Sequence, residues 1–249
     1  MNSREKMQCN FALFKRYRGL LVLFSQKTDG SMKFQNNNSV LMKKNLRNRK
    51  KFLNIFGIFP KDVSSGELCH GNRVEYVSAK NKGERFTGTD GLVTDQKNIF
   101  LSVTAADCLP IFLFDPKKEI VGMVHAGWRS LERNVLENAV GKIKESGGKS
   151  QNILVGIGPA ICQKHYEIGL EVAKKFAKYP EAIKRKGNKI FLDIKKVAEL
   201  QLLSLGIYSK NIEISSECTF ELLGKYFSAR RDKPKEVEAM IAVIGIKNL

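Results

Sequence analysis

Two histidines and one cysteine have the side chains that bind a transition metal: His70, Cys108 and His125. Two imidazoles and a thiolate suit a zinc ion, and three protein ligands leave the fourth position of a catalytic zinc open. The chain has only three histidines, so such a site would use most of them. Residue types alone leave the alternative open, because a buried cysteine is often a small apolar filler and a lone histidine often has a purely structural role.

The elements predicted around these residues place them at strand ends or turns. Apolar runs predict strands at Phe100–Val103, Pro110–Phe114 and Glu119–Val124, and side chains from several strand ends can converge on one point. Asp107 beside Cys108 would raise the pKa of a free thiol, whereas a metal ion deprotonates a bound thiol outright. Asp107 is therefore a candidate partner of a metal ligand, or a base near the metal.

The remaining patterns predict one α+β domain of mixed sheets flanked by helices, over residues 19–249, after a basic leader at residues 1–18. Further strands are predicted at Leu20–Phe24, Arg73–Ala79, Gly91–Thr94, Ile153–Ile157, Ile212–Ser215, Tyr226–Ser228 and Val237–Ile246. Helices are predicted at Val40–Phe56, at Leu131–Glu145 with Ser130 as N-cap, at Leu170–Lys178, and at Ile194–Leu205 with Asp193 as N-cap.

The composition narrows the class of protein. The net charge of +18 allows a nucleic-acid binder, but the lysines are scattered and no groove pattern with interleaved aromatics is visible, which favours anionic substrates over specific nucleic-acid binding. Five cysteines without a CxxC pair predict free thiols rather than a disulfide framework. No apolar run approaches membrane-spanning length and no signal-peptide core is visible, so we expect no membrane partner and a cytoplasmic location.

Several long segments resemble one known family, and they occur in its order along most of the chain. The segments are Asp-Gly-Leu-Val-Thr at 90–94, Thr-Ala-Ala-Asp-Cys-Leu-Pro-Ile at 104–111, His-Ala-Gly-Trp-Arg at 125–129, Gly-Ile-Gly-Pro-Ala-Ile at 156–161 with Tyr-Glu-Ile-Gly at 166–169, and Cys-Thr at 218–219 with Phe-Ser-Ala-Arg-Arg-Asp at 227–232. They resemble the polyphenol oxidase or laccase-domain proteins, whose members have been reassigned as purine nucleoside phosphorylases with adenosine deaminase activity.

The resemblance implies an α/β/β/α-type layered sandwich and a zinc ion held by His70, Cys108 and His125. It implies a transferase and hydrolase acting on adenosine, inosine, guanosine and methylthioadenosine with phosphate. Guanidinium groups suit phosphate because their fork of donors is planar. The arginines that match the family's motifs, and are therefore candidate phosphate ligands, are Arg49, Arg129, Arg230 and Arg231.

The chain departs from the family pattern in four places. The family's Gln-Val before the first histidine is Leu68-Cys69 here, and in its cysteine pair before Tyr166 one or both cysteines are gone, so that His165 occupies a cysteine position. Its N-terminal arginine is absent near Lys27, and its Gly-Arg-Met after Asp232 is replaced by Val-Glu-Ala-Met at 237–240. These changes bear on substrate preference more than on the metal ligands.

Four alternative functions can be weighed against this one from the sequence. Three histidines cannot supply the sites of a multicopper oxidase, although a single copper could occupy the zinc ligands and oxidise phenols. A cysteine hydrolase using Cys108 with His125 would leave His70 without a role. A muropeptide-editing hydrolase, a role attached to some bacterial relatives, and a basic nucleic-acid-binding protein with a structural zinc complete the alternatives.

Overall fold

The computed structural model describes residues 11–34, 39–233 and 235–248. Its strands are β1 Leu20–Phe24, β2 Val63–Glu67, β3 Val74–Tyr76, β4 Arg85–Thr87, β5 Gly91–Thr94, β6 Phe100–Ala105, β7 Leu109–Asp115, β8 Ile120–Ala126, β9 Leu154–Ile157, β10 Glu167–Ile168, β11 Ile183–Lys186, β12 Lys189–Leu192, β13 Ile212–Ile214 and β14 Met240–Ile246. Its α-helices are α1 Ser39–Ile55, α2 Trp128–Glu132, α3 Val135–Glu145, α4 Leu170–Lys175, α5 Ile194–Ser204 and α6 Ala229–Asp232.

Two mixed sheets form the centre of the fold. The first has the strand order β1-β14-β6-β2-β4 and the second has the order β13-β9-β7-β8-β5-β3, while β10, β12 and β11 make a small third sheet. In the second sheet, β7 and β8 form an antiparallel hairpin in which Leu109 pairs with Ala126 and Pro110 with His125. This pairing brings the start of β7 and the end of β8 to the same edge of the sheet.

Alternating side chains of β7 divide the apolar interior into layers. Phe112 and Phe114 point into a core shared with β1, β6 and β14 of the first sheet. Ile111 and Leu113 point to the opposite face, where α2, α3 and α5 pack. On the outer face of the first sheet, Phe52 of α1 joins a third apolar cluster with residues of β1, β2 and β14. The order helix, sheet, sheet, helix confirms the predicted layered α+β sandwich.

Several predicted elements are confirmed and others need correction. The basic helix, the strand at Leu20–Phe24 and the helix capped by Asp193 are all present, and the Asp193 side chain accepts from the Lys196 N–H. The single helix predicted after Ser130 is wrong, because Asn134 adopts a left-handed conformation with φ 61° and separates α2 from α3. Residues 226–228 form no strand in the structure.

Part of the predicted leader packs into the domain. Phe11 and Phe14 are 4% and 5% exposed, and the Phe11 ring lies 5.9 Å from that of Phe112. The N–H groups of Ala12 and Leu13 donate to the Glu213 carboxylate. Residues 11–14 of the predicted leader therefore pack against the domain, and residues 1–10 of it lie outside the described residues.

Among the residues that the structure describes, no helix combines the length and the apolar character needed to cross a bilayer.

Candidate metal centre

The three predicted metal ligands converge at the edge where β7 begins and β8 ends. His125 is the second-last residue of β8, Cys108 immediately precedes β7, and His70 comes from the loop between β2 and β3. Their nitrogen and sulfur atoms all lie within 4.8 Å of one another, and Cys108 Sγ is 4.0 Å from His70 Nε2. The two imidazole rings are 4.9 Å apart, nearly perpendicular to each other.

Asp90, at the entry to β5, holds both histidines in place. Its buried carboxylate accepts from the successive backbone N–H groups of Cys69, His70 and Gly71 at 3.2, 3.0 and 2.8 Å. His70 has a φ of 58°, which lets these three N–H groups converge on one carboxylate. Asp90 Oδ1 also lies 2.9 Å from His125 Nδ1. This contact leaves His125 Nε2 for a metal, as in other carboxylate–histidine–metal sites.

Gly127 is required by the close approach of the ligands. A Cβ at this position would lie 2.9 Å from Cys108 Sγ and 3.2 Å from His70 Cδ2. Real Cβ atoms do not approach sulfur so closely, so any larger residue would push two ligands apart.

The ligands polarise one another electrostatically. Burial raises the pKa of Cys108, but the charges and hydrogen bonds of His125 and His70 outweigh it and lower that pKa to about 6. Burial lowers the pKa of His125, but the Cys108 thiolate and the Asp90 carboxylate raise it to about 9. Burial likewise opposes ionisation of Asp90, whose contact with His125 nevertheless holds its pKa at about 2. A thiolate beside an imidazolium is the result, and a metal ion would replace the imidazolium proton.

This donor set fits a zinc ion. Tetrahedral zinc with bonds of about 2.0–2.3 Å places neighbouring donor atoms about 3.3–3.6 Å apart. The Cys108–His70 separation of 4.0 Å needs only a small rotation to reach that range. The thiol already has a lowered pKa, and Asp90 fixes the ring of His125. His70, Cys108 and His125 are therefore the residues that could hold the ion.

The three ligands line the floor of a cavity of about 550 Å³. This volume is typical of sites for small organic molecules. Its walls include the aromatic side chains of Phe34, Trp128 and Tyr166. They also include three cationic residues, Lys33, Arg129 and Arg230. The cavity thus combines a candidate metal site, aromatic faces and positive charge.

Arg129 and Arg230 are the two predicted phosphate ligands that line the cavity. The Arg129 guanidinium lies 4.3 Å from the ring centre of Trp128, and that of Arg230 lies 5.0 Å from the ring centre of Tyr166. Arg230 also donates through Nη1 to the Glu167 carbonyl at 2.6 Å. Both side chains are exposed, so they can move toward a bound anion.

Arg231 is not among the residues that line the cavity, and its role as a phosphate ligand stays a prediction. Its guanidinium donates to the carbonyls of Thr219, Phe220 and Tyr226 and to both carboxylate oxygens of Asp232. These five hydrogen bonds use all five of its N–H groups. Arg231 therefore holds the loop in place, and a contact with phosphate would require it to give up some of these hydrogen bonds.

Arg49 lies behind Phe34 rather than on the cavity wall. Its guanidinium is buried, donates to the hydroxyls of Ser65 and Ser102, and lies 4.2 Å from the Phe34 ring centre. Burial and the charge of Arg85 lower its pKa to about 9. A contact between Arg49 and phosphate stays a prediction, and it would require Phe34 to move.

Asp107 borders the cavity, with its carboxylate occupied by three donors. It accepts from the hydroxyls of Thr219 and Ser228 at 2.6 and 2.9 Å, and from the Arg230 N–H at 2.7 Å. These contacts join the turn before Cys108 to two distant loops. They favour a positioning role, and proton transfer by Asp107 stays a prediction.

Sequence reasoning did not assign roles to Asp90 and Tyr166. Both residues stand first in segments that resemble the family, Asp90 at 90–94 and Tyr166 at 166–169. Tyr166 follows the altered segment near His165, and it lines the cavity beside Arg230. The tertiary contacts are what assign each of them a role.

Comparison with known proteins agrees with the fold. The chain is 33% identical over 201 residues to "Purine nucleoside phosphorylase RC0672" of Rickettsia conorii, covering 78% of this chain and 80% of that protein. It is 29% identical over 215 residues to "Purine nucleoside phosphorylase YlmD" of Bacillus subtilis, covering 81% and 77%. The crystal structure of YlmD from Geobacillus stearothermophilus superposes with a TM-score of 0.89 at 25% identity, covering 97% of this chain and 96% of that one.

A family profile gives the assignment directly. Residues 25–247 match the profile described as "Multi-copper polyphenol oxidoreductase laccase", a span that includes all three candidate metal ligands and the whole cavity wall. The chain belongs to this laccase-domain family.

Proposed function

We propose that the protein is a zinc-dependent purine nucleoside phosphorylase that also deaminates adenosine. The observation that carries the proposal is the juxtaposition of three metal-ligating atoms within 4.8 Å with the aromatic and cationic walls of one cavity. The names of the Rickettsia and Bacillus relatives support the phosphorylase part of the proposal. The aromatic faces suit the nucleoside, and the cations suit the phosphate.

The aromatic residues of the cavity suit a purine base. Stacking on an aromatic side chain stabilises a base by about 1–3 kcal/mol. Trp128 and Tyr166 each have a guanidinium near one face of the ring. A base stacked on such a ring would therefore lie close to a cation that can bind an anion. The cavity volume of about 550 Å³ accommodates a small ligand of this kind.

The cationic residues suit the attacking phosphate. Arg129 and Arg230 can donate bidentate hydrogen bonds, which fix the position of an anion as well as attract it. In phosphorolysis, a phosphate oxygen forms a bond to ribose C1′ while the bond from C1′ to the base nitrogen breaks. The electron pair stays on the departing purine, which takes up a proton, and the products are free base and ribose 1-phosphate. Positioning the phosphate in line with C1′ supplies much of the catalysis.

His70, Cys108 and His125 would hold the zinc ion, which would supply Lewis-acid polarisation of the substrate. Asp90 keeps the His125 ring oriented through the Nδ1 hydrogen bond, and Gly127 leaves room for the ligands. These two residues preserve the donor geometry during turnover.

Deamination replaces the amino group at purine C6 with a water-derived oxygen and releases ammonia. It requires a group that moves a proton, and Asp107 is the candidate, although three donors already hold its carboxylate. Folded Asp107→Asn protein that keeps the deaminase rate would assign Asp107 to positioning alone.

The test is product chromatography with zinc-loaded protein, using inosine and adenosine with and without phosphate. The proposal predicts hypoxanthine from inosine only when phosphate is present, and inosine from adenosine in its absence. His125→Ala protein is the control and should form neither product. Base release that does not depend on phosphate would contradict the phosphorylase assignment.

A second candidate is oxidation of phenols by copper bound at the same residues, which the family description favours. Two imidazoles and a thiolate also bind copper. The three histidines of the chain supply one such site and not the several of a multicopper enzyme. If this activity is the main one, copper-loaded protein will oxidise phenols while zinc-loaded protein leaves nucleosides unchanged.

A further inference from the structure

A second group of metal-ligating side chains lies beside the cavity and outside the candidate centre. Cys162 and His165 come from the segment after β9, and Glu221 comes from the loop after β13. The Cys162 sulfur, one His165 ring nitrogen and a Glu221 oxygen all lie within 4.8 Å of one another. His165 Nε2 is 3.0 Å from Glu221 Oε1, and Cys162 Sγ is 4.0 Å from the same oxygen.

The backbone holds the two segments in fixed register, so the group is organised without a ligand. Ala160 and Cys218 form a parallel β-bridge, and the Thr219 N–H donates to the Ala160 carbonyl. The Cys162 N–H donates to the buried Cys218 sulfur at 3.2 Å. These contacts fix the two chains on either side of the three donor atoms.

The His165 ring is oriented by packing rather than by solvent contacts. It stacks on Phe220 with ring centres 4.3 Å apart and an angle of 14° between the planes, and its side chain is only 22% exposed. This stacking directs Nε2 toward Glu221. The imidazole, the carboxylate and the thiol together offer three of the four donors of a tetrahedral metal.

We propose that Cys162, His165 and Glu221 form a second site for a borderline divalent cation such as zinc. Donors of one sulfur, one nitrogen and one oxygen favour zinc or cobalt(II) over magnesium or calcium, which prefer oxygen alone. Binding replaces the Cys162 thiol proton and displaces Lys164, which contacts the same Glu221 oxygen at 3.3 Å. The site is distinct from the phosphorylase centre and does not depend on that assignment.

The position of this second site links it to the cavity wall. His165 directly precedes the wall residue Tyr166, and Glu221 is two residues from Thr219, which holds Asp107. An ion at the second site therefore clamps the segment carrying Tyr166 to the loop that supports the turn before Cys108. Occupancy should stiffen one wall of the cavity without placing a second ion inside it.

The test uses cobalt(II), whose charge-transfer absorption reports thiolate coordination. In full-length Cys108→Ala protein, which lacks the thiolate of the first centre, we expect one equivalent of cobalt with a thiolate band. The band should disappear in Cys108→Ala/Cys162→Ser. In Cys108→Ala/Glu221→Gln, cobalt should bind at least about tenfold more weakly. The matched control is Cys108→Ala/Lys164→Gln, which removes a neighbouring cation but no ligand and should keep the band.

Two results would overturn the proposal: folded Cys108→Ala protein without a thiolate band, or a band that persists after Cys162→Ser. If circular dichroism shows that Cys108→Ala does not fold, native mass spectrometry of zinc-saturated wild-type protein replaces it. Two zinc ions per chain, falling to one in Cys162→Ser, support the second site, whereas a single zinc in the wild type rejects it.

Discussion

Replacing Asp90 with asparagine tests how the candidate centre is organised. The Asp90 carboxylate accepts from three backbone N–H groups of residues 69–71 and contacts His125 Nδ1. Asparagine retains one acceptor oxygen but turns an NH₂ group toward donors, so at least one buried N–H loses its partner. The change removes a negative charge beside His125 while leaving all three metal ligands in the chain.

The expected magnitude follows from two effects. Loss of a carboxylate partner of a metal-bound histidine weakens metal binding about 10–100-fold, which corresponds to about 1.4–2.7 kcal/mol. One unpaired buried donor lowers the free energy of unfolding of the metal-free protein by about 1–3 kcal/mol. Zinc affinity is measured by competition with a chromophoric chelator, and stability by urea unfolding.

The matched control is Asp95→Asn, which changes an exposed carboxylate that pairs with Tyr76 outside the cavity. It should leave zinc affinity within about twofold of the wild type. Folded Asp90→Asn protein that binds zinc as tightly as this control would refute the role assigned to Asp90.

Three further outcomes follow from particular contacts. Gly127→Ala should weaken zinc binding at least about tenfold because its Cβ would meet Cys108 Sγ at 2.9 Å. The control Gly141→Ala, in open space within α3, should stabilise the protein by about 0.5–1 kcal/mol. If the two variants bind zinc equally tightly in chelator competition, the expectation for Gly127 is contradicted. Arg231→Lys should lower the free energy of unfolding by about 2–4 kcal/mol, since one ammonium cannot replace five N–H donors; an unchanged urea midpoint would show that the loop does not depend on it. In metal-free protein, iodoacetamide should modify Cys108 far faster than Cys162 at pH 7, because the pKa of Cys108 is lowered to about 6 and that of Cys162 is raised to about 11. The rate of Cys108 modification should fall below pH 6. Peptide mass mapping that finds Cys162 modified first would contradict this expectation.

Local patterns were sufficient to predict much of the fold. The continuous apolar run of β7 predicts a strand buried on both faces, and the structure places alternate residues in two separate cores. The helix break at Asn134 was not predictable, because the residues on both sides have helical periodicity. It depends on one left-handed residue that the surrounding packing selects.

The metal ligands of the candidate site were predictable because their residue types alone indicate the chemistry. The phosphate ligands were not, because the role of an arginine depends on the residues that it contacts. His70, Cys108 and His125 are unusual residues at strand ends, and the fold brings them together. Arginines carry the same charge whatever they contact, so sequence could not separate Arg129, which lines the cavity, from Arg231, whose donors are all used within its own loop. Tertiary contacts alone make that distinction.

The most direct test of the proposed function is ³¹P NMR of wild-type, zinc-loaded protein incubated with inosine and inorganic phosphate. The proposal predicts a ribose 1-phosphate resonance that grows in step with hypoxanthine, and its absence with His125→Ala protein. Hypoxanthine formed without any sugar phosphate would identify a hydrolase, and no conversion by fully zinc-loaded protein would contradict nucleoside chemistry at this centre.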